Sequence, residues 1–122
     1  MIPKQFNILG HEISVEIDNE YCHQNKCLGR FLYYENRIVL ADKYKAKKNW
    51  VKYKESIVEH TFYHELTHCL LYHTGHQDLW LDEQLVDAVG GLLHQFEITK
   101  EYECITSKRE SGDNDTCRGI ND

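Results

Sequence analysis

Residues 63–69 read Tyr63-His64-Glu65-Leu66-Thr67-His68-Cys69, and their spacing decides both the local fold and the direction of the chemistry. His64 and His68 are four positions apart, so on an α-helix they stand one turn from each other on a single face. Two imidazoles at that separation can grip one tetrahedral zinc ion, with Glu65 displaced round the helix towards the ion's open side. The stretch therefore predicts a helix carrying a zinc hydrolase motif. A third ligand and a cleft have to come from elsewhere in the chain.

The helical pattern runs from about Trp50 or Ser56 to Tyr72. Ile57, Val58, Phe62, Leu66, Cys69, Leu70 and His73 make one broad apolar face, with His64 and His68 at its border, where a cleft floor belongs. Gly75 is placed to end this helix, and Asp78 or Asp82 to cap the next. The second helix is expected over Leu81–Ile98. Leu85, Val86, Val89, Leu92, Leu93 and Phe96 form its core face, and Glu83, Asp87 and Gly90 or Gly91 a neighbouring row. Adjacent glycines inside a helix cost about 2 kcal/mol against two alanines, so Gly90-Gly91 predicts close approach of another backbone, most simply the first helix.

Upstream the period changes from helical to alternating. Ile13, Val15 and Ile17 alternate with Ser14 and Glu16, as in a half-buried strand. Gly10 with His11 marks a turn after a short strand Phe6–Leu9. Asp18–Lys26 is polar and reads as a loop. Leu28–Tyr34 and Arg37–Ala41 read as two more strands joined by Glu35-Asn36. The expected architecture is α+β: a small, mostly antiparallel N-terminal sheet packed on the HExxH helix and a second, Glu-bearing helix. Asp42–Glu55 interleaves six lysines with Tyr44, Trp50 and Tyr53. Such a patch suits a nucleic acid or acidic partner, but in an acidic chain it reads first as a solvated connection into the helix.

At 122 residues the chain is the size of one domain, expected over 1–102, with a polar, mobile tail over 103–122. Its composition, 41% hydrophobic and 28% charged, fits a soluble globular protein. No apolar run approaches a membrane span and no signal peptide is recognisable, so the expected compartment is the cytoplasm, with no membrane partner. A net charge of −6 argues against general nucleic-acid binding. The five cysteines cannot all pair within one chain, and free thiols are expected. Cys22 and Cys27 with Cys104 and Cys117 would make a structural zinc site, but their spacings are not those of CxxC knuckles.

The third ligand separates the possible layouts. A metzincin needs glycine three residues after His68 and histidine six after it; Leu71 and Thr74 stand there. Asp82-Glu83-Gln84-Leu85-Val86-Asp87, by contrast, resembles the Asn-Glu-x-x-x-Asp element of the gluzincin metallopeptidases, departing from it at Asp82. In its order of elements over residues 6–98 the chain resembles the minimal gluzincin core of ImmA/IrrE-type peptidases, many of them encoded by phages and mobile elements. The specific motifs span only His64–Asp87, and the helix-turn-helix such peptidases often carry is missing.

That resemblance implies one zinc per chain, held by His64, His68 and Glu83, with Asp87 hydrogen-bonded to His64. Asp87 remains the runner-up ligand, because both carboxylates share a helical face. It implies a zinc-dependent endopeptidase with Glu65 as the general base and a protein or peptide substrate, bound as an added strand along Arg37–Ala41 or Leu28–Tyr34. Tyr33, Tyr34, Tyr63, His76 and His94 are the candidates for stabilising an oxyanion. His60 extends the histidine row, but three histidines on one straight helix cannot converge on one ion, so it reads as a rim or surface residue. His73, His76 and His94 otherwise read as ordinary core-edge or loop histidines. Two other functions stay open: a zinc-binding but non-catalytic phage accessory module, and a nucleic-acid-associated factor using the Lys43–Lys54 patch.

Overall fold

A computed structural model describes residues 1–103, so the expected tail, apart from its first residue, and Cys104 and Cys117 lie outside the described residues. The chain is α+β. β1 (Gln5–Ile8) and β2 (His11–Ile17) form a hairpin whose two turn residues, Leu9 and Gly10, both take positive φ (49° and 84°). This is the backbone that a two-residue hairpin loop needs to match the strand twist. β3 (Gly29–Leu32) and β4 (Arg37–Leu40) complete the sheet in the order β1-β2-β4-β3, with β2 and β4 parallel and the other pairs antiparallel.

The parallel pair requires a crossover, and α1 (Asn19–Gln24) lies within it, where a loop was expected. Asp18 caps this helix by accepting from the Tyr21 N–H at 3.0 Å, and Cys22 is its buried anchor. The β3–β4 connection also differs from expectation. It spans four residues, Tyr33–Asn36, closed by the Glu35 N–H donating to the Leu32 carbonyl at 3.0 Å, with Asn36 at φ 51°. Tyr33 and Tyr34 therefore leave the strand.

The lysine-rich segment is a second sheet, not a plain connection. β5 (Lys43–Ala46) and β6 (Asn49–Lys52) pair antiparallel around Lys47, whose φ is 59°. Asn19 ties this hairpin to α1, its side-chain oxygen accepting from the Asp42 and Lys43 N–H groups at 2.9 and 3.0 Å. Tyr44 packs on Tyr53 with ring centres 5.0 Å apart, and the Lys45 ammonium sits 5.3 Å over the Trp50 ring. Alternating lysines leave the hairpin solvated without breaking its ladder.

α2 (Glu55–His73) lies on the sheet, closing a core of Ile13, Phe31, Ile38, Leu40, Phe62 and Cys69. Val58, Phe62 and Cys69 are buried as the apolar pattern predicts, whereas Ile57 is exposed. Burial pushes the Cys69 thiol up to about 12. Thr74 and Gly75 (φ 83°) end the helix.

α3 (Glu83–Thr99) packs chiefly on α2, with Val86 of its expected apolar face buried, Leu85, Val89 and Leu93 half-buried, and the helix turned so that Leu92 and Phe96 face outward. Its buried row is Val86, Gly90 and His94, while Leu92 and Phe96 are 66% and 63% exposed. The reason is Gly90. A Cβ built there would lie 2.9 Å from His64 Cα and 3.0 Å from the Tyr63 carbonyl oxygen, so the two backbones touch where a side chain would hold them apart. Gly91 faces only the flexible end of His60, at 3.6 Å. Among the described residues no helix is long and apolar enough to cross a membrane.

The two glycines therefore separate two effects. Gly91→Ala gains helix propensity and should raise stability by about 0.5–1 kcal/mol. Gly90→Ala meets backbone and should lower it by about 1–3 kcal/mol. Urea unfolding of both variants checks this, and equal stability would remove the close contact from the account.

Candidate metal centre

α2 carries His64, Glu65 and His68 to the border of the sheet-facing surface, and α3 brings Glu83 against them. Asp82 caps α3 by accepting from the Leu85 N–H at 3.1 Å, which places Glu83 in the first turn, where the helix dipole favours a carboxylate. The Glu83 carboxylate straddles both rings. Oε1 is 3.1 Å from His64 Nε2 and Oε2 is 3.2 Å from His68 Nε2. One donor atom from each of His64, His68 and Glu83 falls within a 4.8 Å group, so the three could hold a metal ion.

The opposite ring nitrogens fix how the rings are turned. His64 Nδ1 is 2.9 Å from Asp87 Oδ1, and His68 Nδ1 is 2.5 Å from the Trp80 carbonyl oxygen. Carbonyl and carboxylate oxygens accept, so each Nδ1 is the donor there and each Nε2 is turned to Glu83. Contacts near 3 Å from two Nε2 atoms to one carboxylate are met either by a ring N–H donating to it or by a cation shared among the three side chains. The ring centres are 4.9 Å apart. A divalent metal satisfies all three donors at once, so the residues present fit one.

Glu65 is buried beside the group, with Oε2 4.0 Å from His64 Nε2. Burial pushes its carboxyl above the ordinary range, while His68, His64 and the Phe31 main-chain N–H pull in the opposite direction. His64, Glu65, His68 and Glu83 thus come together as the sequence reading anticipates. Asp87 meets the outer nitrogen of His64 and not the face turned to Glu83, which places it behind a ligand.

A cleft of about 460 Å³ opens on this group, lined by β3, the β3–β4 turn, Trp80 and Leu81. β3 is the free edge of the sheet there. Of the two strands expected to offer an edge, β4 is covered on both sides, by β2 and β3. Tyr33 and Tyr34 line the cleft. The other candidate oxyanion groups lie elsewhere: Tyr63 stacks on buried His94 (5.5 Å), which faces Glu59 at 3.4 Å, and His76 meets the Thr74 hydroxyl at 2.9 Å. His73 meets Asn36 at 2.8 Å, and His60 is exposed. The Trp80 carbonyl and the Phe31 N–H escape sequence reading because every residue carries such groups. Tyr21 and Arg30, paired at 3.4 Å in the cleft wall, escape it because no motif joins them.

A scan against protein-family models, a search of curated proteins and a search of solved structures each found no match.

Protein purified without chelator and loaded with a divalent ion should hold about one ion per chain, lost in His64→Ala, His68→Ala and Glu83→Ala. Asp87→Ala should retain it with about 10- to 100-fold weaker affinity, because the ring it orients is freed. Metal analysis and chelator competition read both. Wild-type affinity in Asp87→Ala would remove its orienting role.

Proposed function

We propose that this chain is a zinc-dependent metallopeptidase of minimal gluzincin character, resembling ImmA/IrrE-type enzymes. One observation carries the reading: two Nε2 atoms and a carboxylate converge beside a second, buried carboxylate, in a cleft bounded by a free strand edge. A mixed nitrogen and oxygen donor set of this kind suits zinc, which when bound supplies Lewis acidity and acidifies water.

The chain's own residues divide the remaining work. His64 and His68 present Nε2 because Asp87 and the Trp80 carbonyl hold their other nitrogens. Glu65, buried beside the two histidines, takes a proton from the attacking water and delivers it to the departing amine. Burial favours that exchange, because it brings the carboxyl's proton affinity nearer to working pH. The free edge of β3 offers main-chain groups to an extended peptide, aligning a scissile bond with Glu65.

Glu65→Gln keeps the size and hydrogen-bonding capacity of the side chain but cannot take a proton. It should retain zinc and lose at least about 100-fold in cleavage of a peptide library, compared by mass spectrometry with the wild type. A zinc-loaded wild type that cleaves no library peptide or cellular protein would leave a binding module in place of an enzyme.

A further inference from the structure

The two halves of the cleft are unlike. On one side of the metal group lies a space of about 270 Å³, bounded by Leu28, Gly29, His60, Thr61 and Asp87. There β3 closes on α2: a Cβ at Gly29 would stand 2.8 Å from Thr61 Cγ2. On the other side lies the larger space of about 460 Å³, whose wall is aromatic.

That wall is continuous. Trp80 packs edge-on against His68 (ring centres 6.4 Å), Tyr33 against Trp80 (5.4 Å) and Tyr34 against Tyr33 (5.4 Å), so rings run unbroken from a metal-group histidine to the cleft mouth. Phe31 and Tyr72 hold Trp80 from behind, at 6.4 and 5.1 Å. The front of the wall is open: Tyr33 is 47%, Tyr34 68% and Leu81 64% exposed, and no element among the described residues covers them. Apolar surface gathered at a site, and not scattered, marks a place where a ligand is desolvated. The one cation of this wall, Arg30, leans on Tyr21 with its guanidinium carbon 6.0 Å from the ring centre.

We propose that this half of the cleft is the specificity pocket, taking a bulky apolar side chain, aromatic or large aliphatic, from the bound peptide. The proposal rests on the peptidase reading for its ligand class. The volume admits such a side chain, and the ring faces pair with it by stacking or edge contact. A short or charged side chain leaves those faces in water. The smaller half, beside Thr61, has no ring wall of this kind.

The test separates binding from turnover. Zinc-loaded Glu65→Gln is titrated with fluorescein-labelled decapeptides of one Gly/Ser host sequence, in which a single central residue is Phe, Leu, Ala or Glu. The Phe and Leu peptides should bind about tenfold or more tightly than the Ala and Glu peptides. In Tyr34→Ala/Leu81→Ala, combined with Glu65→Gln, that ratio should fall below about threefold with zinc content unchanged, since neither side chain joins the metal group. Equal binding of the four peptides, no binding by any, or a preference that survives the double substitution overturns the pocket. The same peptides given to the wild type test the enzyme separately. Selective binding without cleavage keeps the pocket and removes the peptidase, and cleavage indifferent to the central residue does the reverse.

Discussion

The absent side chain at Gly90 sets the position of the metal group. With 2.9 Å between the Cβ it lacks and His64 Cα, α3 is pressed onto the very turn of α2 that carries the first histidine. Glu83 precedes Gly90 by seven residues, close to two helical turns, and so lies on the same face. The contact at Gly90 therefore carries the Glu83 carboxylate to within 3.1 and 3.2 Å of both rings. Had α3 packed through Leu92 and Phe96, large side chains would have set the ordinary 8–10 Å interaxial distance, and the carboxylate would have been withdrawn and rotated away. The helix gives up about 1 kcal/mol of propensity at that glycine and leaves much of its apolar stripe in water.

Around that contact the side chains are gathered into a group that could hold a cation. Glu65, Glu83 and Asp87 surround the two imidazoles, with both Nε2 atoms turned to Glu83 and the Nδ1 of His64 turned to Asp87. Such a group is held together from behind: Asp87 and the Trp80 carbonyl steer the rings, and the Asp82 cap starts the helix that bears Glu83. Each support is itself fixed by secondary structure or packing. Preorganisation of this kind lets binding of the ion add to folding stability, because the donors spend little of the binding free energy on being ordered.

Periodic features were legible from the residues alone. The i, i+4 histidines, the end of α2 near Gly75, a cap at Asp78 or Asp82 and a close backbone approach at the Gly90-Gly91 pair all follow from local spacing and from backbone requirements of single residues; which of each pair acts, Asp82 and Gly90, is seen only in the fold. Three features were not legible, each for a physical reason. α1 is a six-residue helix of polar composition, Asn-Glu-Tyr-Cys-His-Gln, whose one buried anchor gives no period to read. The β5–β6 hairpin has lysines where a half-buried strand would show apolar alternation, because both of its faces stay largely in water. The packed face of α3 is rotated from its apolar stripe, burying Gly90 and His94 beside Val86 and exposing Leu92 and Phe96, because the backbone contact at Gly90 sets the helix rotation. Main-chain partners of the site, the Trp80 carbonyl foremost, have no residue signature at all.

Within the described residues the same few side chains and main-chain groups serve twice. Phe31 is a core residue that also lines the cleft, and its ring backs Trp80. Trp80 orients His68 through its carbonyl and continues the cleft wall through its indole. Gly29 lets β3 approach α2 on the smaller side, and Tyr33, one residue beyond the strand, lines the larger side. Through Trp80 the ring wall and the orientation of His68 thus share one residue, its carbonyl fixing the imidazole and its indole standing 6.4 Å from the same ring.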